Sequence, residues 1–132
     1  MARQPGLDVP GLLHHVIIRG IEKCPIVRDE TDRLSFVSRL GQLSGECRTP
    51  VYAWALLDNH AHLLVRSSDY GLPRFMRRLL TGHAITFNLR HKRHGHLFQN
   101  RYKSIVCEED SYFLELVRYI RGCALNSTKQ AV

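Results

Sequence analysis

This chain predicts an α+β fold in which two split β-α-β halves share one antiparallel sheet. Three observations carry that prediction. Apolar runs rich in β-branched residues alternate with amphipathic stretches in the order β-α-β-β-α-β-α. The two middle runs are separated only by Asp58-Asn59, a turn pair suited to a tight hairpin. The length, 132 residues, suits one domain and is short for two.

The first strand is read at 12–19, LLHHVIIR, and is closed by Gly20. A helix follows over 30–44, started by Asp29 or Thr31, with Leu34, Val37 and Leu40 on one stripe. Arg48-Thr49-Pro50 breaks it. VYAWALL (51–57) and AHLLVR (61–66) form the hairpin. The longest helical pattern, 71–93, places Leu72, Phe75, Met76, Leu79, Ala84 and Phe87 near one face, with Arg74, Arg77 and Arg78 toward the other. His94-Gly95 punctuates, RYKSIVC (101–107) reads as a fourth strand, and a last helix is expected from Asp110 or Ser111 past Tyr119. That order is the ferredoxin-like arrangement, an antiparallel sheet with helices on one face. No repeat, low-complexity tract or linker interrupts it. Residues 1–132 are therefore expected to form a single domain, with a polar tail at 124–132 that frays.

Composition narrows the function classes. Hydrophobic residues at 44% and charged residues at 23% describe a globular chain rather than a disordered one. No stretch approaches the ~20 continuous apolar residues of a membrane span. The N-terminus lacks the apolar core of a secretory signal, so a cytoplasmic protein is expected. Cys24, Cys47, Cys107 and Cys123 are widely spaced without a CxxC pair, which argues against a zinc knuckle or redox couple. Nineteen Lys and Arg against twelve Asp and Glu give a net charge of +7, and the natural counterpart of such an excess is nucleic acid. The distribution is sharper than the sum. Between Tyr70 and Cys107 there is no Asp or Glu, yet the segment holds Arg74, Arg77, Arg78, Arg90, Lys92, Arg93, Arg101 and Lys103. A merely solvated basic helix would share that pattern.

The motif that carries chemistry is His60-Ala61-His62. Side chains alternate along a strand, so the two imidazoles project from one face and offer two nitrogens to a divalent metal. A lone HxH also occurs without metal, and spacing alone leaves both readings open. His14 and His15 are adjacent, face opposite ways, and read as structural or peripheral. His83, His91, His94 and His96 lie in the basic stretch, where phosphate or solvent is the expected neighbour.

The chain resembles the HUH single-tyrosine transposases, specifically the REP-associated tyrosine transposases, over roughly Pro5 to Tyr119. The likeness rests on His15-Val16 with Arg19-Gly20, on Asp32-Arg33 with Phe36, on the stretch Tyr52 to Leu64 ending in Asp58-Asn59-His60-Ala61-His62-Leu63-Leu64, and on Gly95 to Ser104. It implies a metal-assisted transesterification on single-stranded or hairpin DNA. His60 and His62 would hold Mg or Mn, and a tyrosine would attack a backbone phosphorus to give a 5′-phosphotyrosine. Of the five tyrosines, the family pattern selects Tyr119, of Tyr119-Ile120, with Tyr112 second. It also implies phosphate contacts for the eight basic residues above, base stacking or plain sheet packing for Phe98 and Tyr102, and either a monomer or a homodimer.

One departure stands out. Relatives commonly carry Asn four positions after the nucleophile, where a helical turn brings it to the same face; here that position is Cys123, with Asn126 beyond it. A thiol is a poor ligand for hard Mg, so the third ligand is Cys123, Asn126 or water. The alternative function is thus a catalytically decayed or non-catalytic nucleic-acid-binding module of the same fold.

Overall fold

The computed structural model describes residues 9–99 and 102–107, together with Arg118. Within them the elements run β1 (Leu13–Arg19), α1 (Glu30–Glu46), β2 (Val51–Leu56), β3 (His60–Arg66), α2 (Leu72–His91) and β4 (Lys103–Cys107). A 3-10 turn at Ile21–Lys23 follows β1. The strands form one antiparallel sheet in the order β2-β3-β1-β4. This is the α+β, ferredoxin-like arrangement expected from the element order. Arg118 is helical and exposed; the rest of the expected last helix, and the 124–132 tail, lie outside the described residues.

Each element forms for a local reason. Asp29 caps α1, its Oδ1 accepting from the Asp32 N–H at 3.0 Å. Pro73 sits in the first turn of α2, where its missing N–H leaves no helical bond unmade. At the far end Lys92 takes a left-handed conformation (φ 54°) and its N–H returns to the Asn88 carbonyl, stopping the helix. The hairpin closes through Leu57 N–H to His60 O at 2.9 Å, leaving Asp58 and Asn59 as the two turn residues.

Both helices bury their apolar stripes on one sheet face, against Val16, Ile18, Leu56, Ala61, Leu63 and Val65. The α1 stripe differs from the expected one. Phe36, Leu40 and Leu43 are buried with Val37 beside them, while Leu34 is 58% exposed. Leu34 lies two positions before Phe36, so about 200° separates them around the helix, and Phe36 has the larger surface to hide. On α2 the surprise is His83, fully buried among Phe36, Phe87 and Phe98. The opposite sheet face carries a smaller cluster, Leu13, Ala53, Ala55, Leu64 and Cys107. No helix among the described residues is long and apolar enough to cross a membrane.

Candidate functional site

The face away from α1 and α2 holds the histidines. The β1–β3 register sets His62 opposite Ile17 and His60 opposite Arg19, and β1–β4 sets Ile17 opposite Lys103. Directly paired residues share a face, so Ala55, His62, Ile17 and Lys103 form one row across four strands. Two strand spacings put the Lys103 backbone about 10 Å from that of His62. Lys103 is exposed, as is Arg19.

The His60 and His62 rings meet edge to face with centroids 5.2 Å apart. The expected alternation therefore brings both imidazoles to one place. His15 joins them. Its ring stacks on His62, also at 5.2 Å, and its Nε2 lies 3.0 Å from His62 Nδ1. The adjacency reading was right that His14 turns the other way, where its Nδ1 meets Ser104 Oγ at 2.9 Å. Of the two readings for His15, structural or peripheral, the structure supports the structural one, and it adds that the ring lies against the strand pair. No local pattern marks His15, because its partner is 47 positions away.

His60 has its own anchor. Its Nδ1–H donates to Asn59 Oδ1 at 2.9 Å, while the Asn59 amide nitrogen makes a long 3.5 Å contact with the Lys23 carbonyl. A carbonyl only accepts, so this second contact fixes which end of the amide faces His60. The turn is held further by Gly20 N–H to Asn59 O at 2.9 Å and by Ile26 N–H to Asp58 O at 2.7 Å. Gly20 makes the fold-back possible: a Cβ there would stand 2.0 Å from the Cys24 carbonyl oxygen. Glu22 and Lys23, in the same turn, both hold positive φ (51° and 63°), which is unfavourable by about 1 kcal/mol or more each.

Electrostatics keeps all three rings neutral at pH 7. Burial pushes the His62 imidazolium down, and His15, His60 and Arg19 push it further, to about 4. Burial alone lowers His15; burial and then Arg19 lower His60. Neutral imidazole is the form that ligates metal. With His60 Nδ1 bound to Asn59, the lone pair of that ring sits on Nε2. The two strand histidines thus fit one side of a divalent-metal site. Among the described residues no group of three or more His, Cys, Asp or Glu side chains completes it, since the His15 nitrogen nearest His62 faces the His62 ring nitrogen itself.

The basic residues divide. Arg78 pairs with Glu46 at 2.9 Å and donates to the Tyr70 hydroxyl at 3.2 Å. Arg90 pairs with Asp29 and Asp32 at 2.8 and 2.9 Å. Arg93 donates to Asn88 Oδ1 and to the His96 carbonyl. The stretch that lacks acids in sequence meets them in space, supplied by α1 and its cap. Arg74 lies over the Tyr70 ring at 4.1 Å, while Arg77, Lys92 and Lys103 are exposed. Of these, Lys103 shares the histidine face; the α2 residues are on the other side of the sheet. His83 and His91 contact protein rather than phosphate: His83 Nε2 donates to the Ile26 carbonyl at 2.7 Å and His91 Nε2 lies 2.7 Å from Asp32 Oδ2. Phe98 and Tyr102 are partly buried, packed against the main core. Arg101, Tyr112, Tyr119, Cys123 and Asn126 lie outside the described residues.

Comparison with known proteins gives a consistent picture. The family model described as "Transposase IS200 like" matches residues 8–123. No curated protein matches the chain. Among solved structures, a REP-associated tyrosine transposase bound to a REP hairpin superposes with a TM-score of 0.76 at 11% identity, covering 97% of this chain and 76% of that one. A Deinococcus radiodurans R1 protein described as a transposase superposes with a TM-score of 0.61 at 18% identity, covering 93% of this chain and 98% of the other.

Proposed function

We propose, for a chain that belongs to the family of IS200-like transposases, that it cleaves and rejoins single-stranded DNA through a tyrosine-linked intermediate. The observation that carries this reading is the pair of neutral, anchored imidazoles of His60 and His62 side by side on β3. They would hold Mg or Mn through ring nitrogens, with Cys123, Asn126 or water as the third ligand. Such an ion would neutralise charge developing on the scissile phosphate.

Tyr119 is the proposed nucleophile. Its hydroxyl oxygen forms a bond to phosphorus, the bond from phosphorus to the 3′ oxygen breaks, and that oxygen leaves as a hydroxyl after taking a proton. The free phenol, with pKa ~10, needs its proton withdrawn as attack proceeds. The phosphotyrosine retains the bond energy, so a second 3′-hydroxyl reverses the step and joins a new end. Lys103, in the His62 row, and Arg19, paired with His60, would meet phosphates approaching this face. Arg101, Arg74, Arg77 and Lys92, with Arg78, Arg90 and Arg93 where their protein contacts allow, would bind the flanking strand. The hairpin held by the REP-associated relative suggests hairpin-flanked ends as the substrate, bound by a monomer or a homodimer.

A second reading, DNA binding without cleavage, is favoured by Cys123 in the position where the resemblance expects Asn. One experiment separates them. The protein is incubated with labelled single-stranded DNA carrying repeat hairpins plus Mg or Mn, and resolved on a denaturing gel. Cleavage predicts a slow, protease-sensitive adduct that disappears in Tyr119→Phe and falls by about 10³-fold in His62→Ala. Retarded complexes on a native gel with no adduct in any metal would leave the binding module as the function.

A further inference from the structure

Each strand histidine has its Nδ1 engaged by a different neighbour. For His60 that neighbour is Asn59, whose oxygen can only accept, so His60 Nδ1 is the protonated nitrogen. For His62 it is His15 Nε2 at 3.0 Å, and two imidazole nitrogens at that distance share one proton between them. If His15 donated, His62 would carry its proton on Nε2 and have no lone pair there for a metal. If His62 donates, its lone pair sits on Nε2, as in His60, and the two rings offer equivalent nitrogens.

We propose that His15 is a positioning residue which accepts the His62 Nδ1 proton and thereby fixes His62 as an Nε2 ligand, matching the role of Asn59 toward His60. The inference rests on the metal reading given under Proposed function. His15 touches no substrate in this account; it acts through His62. Several features make it suitable. His15 is 6% exposed and His62 5%, so water does not compete for the bond. The rings are close to parallel, 24° apart, which holds the His62 plane as well as its tautomer. β1 lies between β3 and β4 and is bonded along both edges, so the acceptor sits on a rigid strand rather than a loop. Partners that orient a metal-bound imidazole through its other nitrogen are worth about 10–100-fold in metal affinity.

The test uses the full chain and Mn²⁺ alone. Nitrogen-15 spectra of the metal-free protein report which His62 nitrogen bears the proton, and Mn²⁺ affinity is read by electron paramagnetic resonance for wild type, His15→Leu, His15→Gln and His62→Ala. The expected result is a His62 Nδ1–H in wild type. Mn²⁺ binding should weaken about 10–100-fold in His15→Leu. It should return to within a few-fold of wild type in His15→Gln, whose side-chain oxygen reaches the place of Nε2 and accepts. A purely structural role for His15 would not be rescued in this way. A His62 proton found on Nε2, or equal Mn²⁺ affinity in His15→Leu and wild type while His62→Ala has lost it, overturns the inference and leaves the metal site standing. Undiminished Mn²⁺ binding in His62→Ala overturns both. Should His15→Leu fail to fold, the wild-type spectrum and the His15→Gln affinity still decide.

Discussion

On the helix-bearing face, His83 and His91 each meet an oxygen that the fold has already fixed, the Ile26 carbonyl and the Asp32 carboxylate. On the opposite face, His15, His60 and His62 meet one another and a turn asparagine. The residue type is the same and the consequence differs. The His83 and His91 bonds tie α2 to the Ile26 segment and to the start of α1, whereas His15, His60 and His62 gather β1, β3 and the hairpin turn into one cluster of rings. Burial does not separate the two groups: His83 at 1% exposed and His62 at 5% are about equally hidden, and what differs is the neighbour each ring meets.

The largest effect that would sharpen this contrast comes from Asp32. It is 3% exposed, accepts from the Arg28 N–H at 2.8 Å, and joins Arg90 and His91 to the start of α1. Burial raises its pKa, but the Arg28 N–H, His91 and Arg90 outweigh that and hold the carboxyl below its ordinary value. Asp32→Ala should lower the unfolding free energy by about 3 kcal/mol in urea titration, while Mn²⁺ affinity stays within two-fold of wild type. A parallel loss of Mn²⁺ binding would mean that the two faces are not independent.

Gly20→Ala should act on both sides at once. The new methyl meets the Cys24 carbonyl, so the turn must shift, at a cost of about 2 kcal/mol. The same shift moves the bond from Gly20 to Asn59 and with it the anchor of His60, so Mn²⁺ affinity should fall several-fold. Wild-type affinity in that variant would show that the turn does not orient His60.

The smallest effect is the contribution of His83, on the helix-bearing face, to the pH dependence of stability. Burial pushes the His83 imidazolium below its ordinary 6.5, only partly opposed by the Ile26 carbonyl and Asp32. The unfolded chain therefore binds the extra proton first as pH falls, so stability is full above pH 6.5 and declines below it. Urea midpoints at pH 7.5 and 5.5 should differ in that direction, with His15, His60 and His62 adding to the change because their charged forms are disfavoured too. The part due to His83 is the part lost in His83→Gln. The His83 ring proton, followed by NMR, should titrate below 6.5; a midpoint above it would put the buried charge back in the core.

The sequence made the strand histidines legible because their signal is local. A period of two within a β-branched run puts His60 and His62 on one face whatever else the chain does. The hairpin was legible for the same reason, since Asp58-Asn59 acts on its own neighbours. His15 was not, because nothing in LLHHVIIR says which strand will lie beside it. Nor were the partners of Arg78 and Arg90, 32 and 58–61 positions away on α1 and its cap; an acid-free segment looked like free charge. Leu34 was misplaced because two overlapping stripes are available on α1, and Phe36 decided between them. His83 went unread as core because a polar residue inside an apolar stripe carries no sign of the carbonyl that will receive its proton.

β1 has one further consequence, which concerns time. It pairs with β3, whose residues lie within the first half of the chain, and with β4, whose residues begin at 103. During synthesis from the N-terminus, His15, His60 and His62 have all been made before α2 exists, and the β1–β3 pairing that unites them needs nothing later than Arg66. Lys103 joins the outer edge of β1 only at the end, by the longest-range strand pairing among the described residues. The imidazoles and the cation that shares their row are therefore added to the same strand from its two sides, one early and one late.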